Sequence, residues 1–142
     1  MSCPHCDAPL VAFTVPPVLR EHAPAATTAI CTRCLRTVAV GEGGDVAAEE
    51  TSAGDVVAVG GTPSDPDFSA VDPAFPDGEA GVALALVCGH LESFALNRAS
   101  IEALVDHAER SGADVFAFFE RLDAPDAAFD LDRRRAALLD LL

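Results

Sequence analysis

Two C-x₂-C pairs, Cys3-Pro4-His5-Cys6 and Cys31-Thr32-Arg33-Cys34, stand 24 residues apart in the first quarter of the chain. Zinc in closed structural sites takes four ligands at tetrahedral angles, and thiolates are its preferred donors. Two residues between cysteines allow a tight turn that aims both sulfurs at one point. The spacer suits an excursion out along one strand and back along another. A redox C-x₂-C instead opens a helix in a βαβ setting, and no such setting is legible here. The expectation is one structural Zn²⁺ held by Cys3, Cys6, Cys31 and Cys34, with no open position for catalysis. A rubredoxin-like iron site uses the same four thiolates, so the sequence leaves zinc and iron open.

Strand signals fit that excursion. Leu10 to Val15 is β-prone and stops at Pro16-Pro17, Thr27 to Ile30 leads into the second pair, and Arg36 to Val40 leads out of it. From Gly41 to about Glu79 the chain is rich in Gly, Pro, Asp and Ser, which reads as an acidic, irregular linker. Asp55 to Val59 is a candidate strand within it. Asp65-Pro66 reads as the N-cap and first position of a short helical turn over 66–71, with Phe68, Val71 and Phe75 pinning the linker onto the helical part of the chain.

The rest reads as helical. Gly81 to Leu96 is apolar on nearly every side, which suggests a buried central helix, with a break and new cap at Asn97–Ser100. Ile101, Leu104, Val105 and Ala108 then form an i, i+3, i+4, i+7 stripe ended by Ser111-Gly112. Asp114 caps a third helix carrying Val115, Phe118, Phe119 and Leu122, and Asp130 caps a fourth running to Leu142. The expected class is α+β: a three-stranded zinc ribbon over 1–40, the linker over 41–79, and a bundle of about four α-helices over 80–142.

Charge follows the same boundaries. Residues 1–40 carry +1, 41–80 carry −10 and 81–142 carry −5, which makes the net −14. All nine basic residues are Arg, and Lys, Tyr and Trp are absent. Such a charge repels itself at low salt. At molar ionic strength the Debye length falls to about 3 Å, and dispersed carboxylates then keep the surface hydrated. Exchanging Lys for other charged residues also removes apolar stems that strong salt drives together. An acidic, lysine-free chain of this kind reads as a halophile's cytoplasmic protein. The alternative is an acidic mimic of nucleic acid. The longest apolar run, Val82 to Cys88, is too short to span a membrane, and a cysteine knuckle at residue 3 leaves no room for a secretory signal.

Other reactive side chains have plain readings. His5 lies inside a knuckle that already has its ligands, and His22 has no evident partner. On a helix, Cys88 and His90 point about 200° apart, so Cys88-Gly89-His90 is no second site. Cys88 reads as a small core residue, His90 as a hydrogen-bonded boundary histidine and His107 as exposed. There is no phosphate loop, G-x-S-x-G elbow or H-E-x-x-H, and an enzyme is not expected.

The C-P-x-C and C-T-R-C-L-R knuckles, Asp65-Pro66-Asp67-Phe68-Ser69, the F-x-L-N-R-x-x-I-E-x-L-V segment (Phe94–Val105) and Phe129-Asp130-Leu131 with Arg133-Arg134-Arg135 resemble an uncharacterised family of small haloarchaeal zinc-ribbon proteins. The resemblance implies that lineage, a ribbon-plus-helices layout and the four cysteines as the site. It implies no activity.

The leading functional expectation is a non-enzymatic interaction or adaptor module, working through a protein partner or self-association and not a membrane. Phe116 and the Leu138–Leu142 stretch are the candidate contact surface. The alternative is nucleic-acid binding or a transcription- or translation-associated role. It rests on Arg20, Arg33 and Arg36 in the least acidic lobe and on Arg133, Arg134 and Arg135. Molar salt and a strongly anionic chain weigh against it, and Asp130 and Asp132 offer the triple arginine local partners.

Overall fold

The computed structural model describes residues 3–40, 61–62, 65–124, 127 and 129–141. The linker between 41 and 60, with its candidate strand Asp55–Val59, lies outside the described residues.

Strands β1 (Leu10–Thr14), β2 (Thr27–Cys31) and β3 (Thr37–Ala39) form one antiparallel sheet in that order. Leu10 sits opposite Cys31 and Thr14 opposite Thr27, while Ile30 of β2 faces Thr37 of β3. Side chains alternate across a strand, and here the alternation separates two environments. Val11, Phe13, Val15 and Ile30 point into the main core, whereas Leu10, Ala29 and Cys31 join Cys3, Cys34 and Val40 in a small cluster on the other face. The expected strands are therefore present, and each fixes which face its neighbours see. Pro17–His22 continues as a 3₁₀ helix that buries Leu19 and packs against a later helix.

A two-residue hairpin, β4 (Gly61–Thr62) and β5 (Asp65–Pro66), lies on β1. This corrects the expected helical start at Asp65. Asp65 is strand, and Asp67 caps the turn instead, accepting from Ser69 N at 3.0 Å ahead of a 3₁₀ turn over Phe68–Ala70. An Asx side chain two residues before a free amide makes this local bond readily, which shifts the cap two residues along. Phe68 and Phe75 are buried and Val71 packs against the same core, as their spacing suggests. Phe13, Phe68, Phe75, Phe118 and Phe119 form a relay of ring contacts at centroid spacings of 4.7–5.4 Å, from the sheet to the third helix.

Four helices complete the described chain: α1 (Gly78–Leu91), α2 (Arg98–Arg110), α3 (Val115–Arg121) and α4 (Leu131–Leu141). The fold is α+β. Every residue of α1 from Ala80 to Cys88 is buried, so this helix is apolar on all sides because the sheet, α2 and the aromatic relay surround it. It ends at Leu91, short of the expected Leu96. Ser93 O takes both the backbone N and Nδ2 of Asn97, and residues 92–97 are turns that leave Leu96 87% exposed. The Asp114 and Asp130 caps form as expected, accepting from Ala117 N at 3.0 Å and Arg133 N at 3.1 Å. One continuous apolar cluster joins the sheet's inner face to all four helices. No helix among the described residues is long and apolar enough to cross a membrane.

Candidate metal centre

Cys3 and Cys6 belong to the turn that precedes β1, while Cys31 closes β2 and Cys34 ends the turn between β2 and β3. Pairing of Leu10 with Cys31 brings the two turns to the same end of the sheet. There the four Sγ atoms lie within 4.8 Å of one another, with Cys3–Cys34 at 3.8 Å and Cys6–Cys31 at 3.4 Å. A disulfide needs about 2.05 Å, so these are free thiols. Tetrahedral Zn–S bonds of about 2.3 Å would place sulfurs about 3.8 Å apart, and the cluster fits that ion size.

The two turns are built alike. The residue after each second cysteine, Asp7 and Leu35, has φ of 65°. That left-handed step is rare for a non-glycine residue and sharply reverses the chain. Within the turns, backbone amides face sulfur: His5 N reaches Cys3 Sγ at 3.4 Å, and Arg33 N and Cys34 N reach Cys31 Sγ at 3.3 Å. Leu35 inserts its side chain into the main core from its reversed backbone. Neither Asp7 nor Leu35 carries a sequence signal for this role, since glycine is the usual mark of such a position.

Burial and hydrogen bonding set the thiols apart. A backbone hydrogen bond from Ala8 brings the Cys6 thiol down to about 7. Burial pushes Cys31 up, and it pushes Cys34 up to about 12. Burial therefore opposes ionisation of Cys31 and Cys34, and a bound cation would offset that cost, as in a metal-ligand set. The donor set fits one thiophilic ion, and four sulfurs complete a tetrahedral shell.

The remaining candidates disperse. His5 is exposed on the first turn. His22 shares a hydrogen bond with Ser100 Oγ at 3.0 Å, tying the 3₁₀ helix to α2. His90 Nε2 lies 2.6 Å from His22 O, so it carries the proton and donates, and the boundary reading holds. His107, expected to be exposed, is half-buried, and its Nε2 meets Glu79 Oε1 at 3.0 Å across α1 and α2. Cys88 is a fully buried core residue whose thiol is pushed up by burial. Leu138 is also buried, which removes it from the expected contact surface.

Several arginines are already engaged. Arg20 Nε donates to Val15 O at 3.1 Å, Arg36 pairs with Glu92 at 3.5 Å, and Arg135 Nη2 donates to Leu122 O at 2.8 Å. Arg33 and Arg133 are exposed. An open cleft of about 370 Å³ beside α4 is lined by Asp123, Phe129, Asp130, Asp132 and Arg135, and that arginine is held by the wall itself.

Comparison with known proteins places the chain in a family. It belongs to DUF6276, a family of unknown function, which it matches over residues 2–142. No curated protein and no solved structure matches it.

Proposed function

We propose that this member of DUF6276 is a non-enzymatic zinc protein, with one structural Zn²⁺ on Cys3, Cys6, Cys31 and Cys34. On this reading it serves as a protein-interaction or adaptor module in the cytoplasm of a halophilic archaeon. The observation that carries the metal reading is the convergence of four thiol sulfurs within 4.8 Å. Four thiolates around one ion leave it no open position for substrate, which supports a structural role over a catalytic one. The ion would hold the two turns together, and through Leu35, Arg36 and Thr37 it would hold the sheet against α1. The engagement of Arg20, Arg36 and Arg135 by carbonyls or a carboxylate weakens the nucleic-acid alternative. The salt-rich setting is supported by the −14 charge and the absence of Lys.

Elemental analysis of protein purified in high salt tests the metal. About one zinc per chain is expected, and a strong chelator should remove it with loss of amide protection over 3–40. Cys34→Ser should lower the metal content, and Cys88→Ser should leave it unchanged. Iron in place of zinc would correct the ion. Full occupancy after Cys34→Ser would overturn the four-cysteine assignment.

A further inference from the structure

The four cysteines are not equivalent, and the difference singles out one of them as a modification site. Cys3 and Cys31 are 0% exposed and Cys34 is 3% exposed, whereas Cys6 is half-buried. Its neighbours Pro4, His5 and Asp7 are exposed, so the first turn stands at the surface. The second turn is anchored instead, because Leu35 sits in the core and Arg36 pairs with Glu92. An oxidant arriving from solvent therefore meets Cys6 first, and Cys31 lies 3.4 Å from it across the cluster. Cys31 is held in place by two amide donors and by the β2 ladder. Closing to a disulfide bond of about 2.05 Å then needs movement only of the outer turn.

We propose that Cys6 is the site at which a hydroperoxide attacks this cluster, and that the product is a Cys6–Cys31 disulfide that releases the metal. This rests on the metal reading above. The Cys6 thiolate attacks one oxygen of hydrogen peroxide, the O–O bond breaks, and hydroxide leaves, giving a sulfenic acid once protons equilibrate. The Cys31 thiolate then attacks the Cys6 sulfur, and the S–O bond breaks with loss of a second hydroxide. Two thiolates lose two electrons in total, peroxide accepts them, and zinc departs as Zn²⁺. Cys3 and Cys34 remain reduced, and a dithiol reductant with added zinc restores the site.

The test uses the full chain as purified, in high salt, treated with hydrogen peroxide. Zinc release is measured with a colorimetric indicator, and disulfides are mapped by non-reducing peptide mass spectrometry. One zinc released per Cys6–Cys31 disulfide is expected, with the same result in Cys88→Ser. Cys6→His keeps a four-ligand set, and peroxide should release its zinc about tenfold more slowly. Zinc loss with the Cys6 thiol intact, or a predominant Cys3–Cys34 disulfide, would overturn the proposal while leaving the metal reading in place. A metal-free isolate that still yields Cys6–Cys31 would support the pairing and overturn the metal reading instead. If Cys6→His does not load zinc, the wild-type disulfide map alone decides.

Discussion

Gly89 of α1 lies against the side chain of Thr37 in β3 with no space for a Cβ between them: an added carbon would overlap Thr37 Oγ1 and Cγ2. This close approach lets the third strand dock on the central helix just beyond the second cysteine turn. Gly89→Ala should therefore destabilise the fold by about 1–3 kcal/mol, the usual range for overpacking, although alanine is the better helix former. Denaturant melts in high salt measure the loss. Thr37→Ala removes the two nearest overlapping atoms and should recover part of it in the double variant. A neutral or stabilising Gly89→Ala would mean that β3 can move away from α1 at no cost.

Asp72 makes a second tie between distant segments. It is 7% exposed, and its two carboxylate oxygens accept from Ala74 N at 2.8 Å and from Asp123 N at 3.1 Å. The first bond shapes the turn ahead of α1 and the second fixes the exit of α3. Asp72→Ala should cost about 2–3 kcal/mol, because two amides lose a charged acceptor. Asp67→Ala removes a comparable bond at an exposed turn and should cost much less. Equal costs for the two would show that burial at Asp72 contributes nothing.

Much of this architecture is legible in the sequence because it arises from local rules. The β-prone run Leu10–Val15, the stripes at Ile101–Ala108 and Val115–Leu122, and the Asp114 and Asp130 caps each need only a short window. Cysteine spacing identifies the cluster because two C-x₂-C turns of this kind suit a four-thiolate site. The features that escape are set by partners remote in sequence. Gly89 sits between a cysteine and a histidine, but its meaning comes from Thr37. His22 gains its partner only when the fold sets Ser100 of α2 beside it. Asp65 and Asp67 are equally good caps in isolation, and the β4–β5 pairing decides between them. The Asp72-Pro73 turn carries a readable Asx signal, whereas its reach to Asp123 has none.

The His22–His90 contact gives stability a pH dependence of known sign. Burial lowers the His90 pKa below its ordinary value near 6.5, with the adjacent His22 ring acting in the same direction and the bond to His22 O opposing both. Glu21 faces His22 at 3.4 Å on the far side. A lowered folded-state pKa means that protons favour the unfolded chain. The contribution is complete above the unfolded value near 6.5 and shrinks as pH falls through it. His90→Gln can still donate to His22 O and does not titrate. Between pH 7.5 and 5, its melting temperature should fall less than that of wild type. Parallel curves would remove His90 from the acid response.

Salt should stabilise the protein. Glu102, Asp106, Glu109, Glu120 and Asp132 all lie on exposed helix faces, and Asp67, Asp77 and Glu79 are exposed in the turn ahead of α1, at its N-cap and in its first turn. The exposed pairs Arg98–Glu102 and Arg110–Asp106 neutralise only their own turns. Diluting KCl from molar to about 0.1 M lengthens the Debye screening distance from about 3 to 10 Å, so these carboxylates begin to repel one another. Thermal melts should shift downward on dilution. A melting point that is flat or rises would contradict the halophilic reading.

Phe116 bears on the proposed partner. Its neighbours on α3, Val115, Phe118 and Phe119, occupy the i, i+3, i+4 core stripe and are buried, whereas Phe116 points away from it and stays 48% exposed. With Leu138 buried, Phe116 is the large apolar side chain that remains open among the described residues of the expected contact surface. An aromatic ring that the fold does not need is available to a partner or a second copy. Phe116→Glu should change stability by less than about 0.5 kcal/mol, as for other surface substitutions. Phe118→Glu, which buries a charge, should prevent folding. Light scattering in high salt then separates the two versions of the interaction. Concentration-dependent association of wild type, abolished in Phe116→Glu, is the expected result for self-association. A wild type that stays monomeric at every concentration would end that version and leave Phe116 for a different protein.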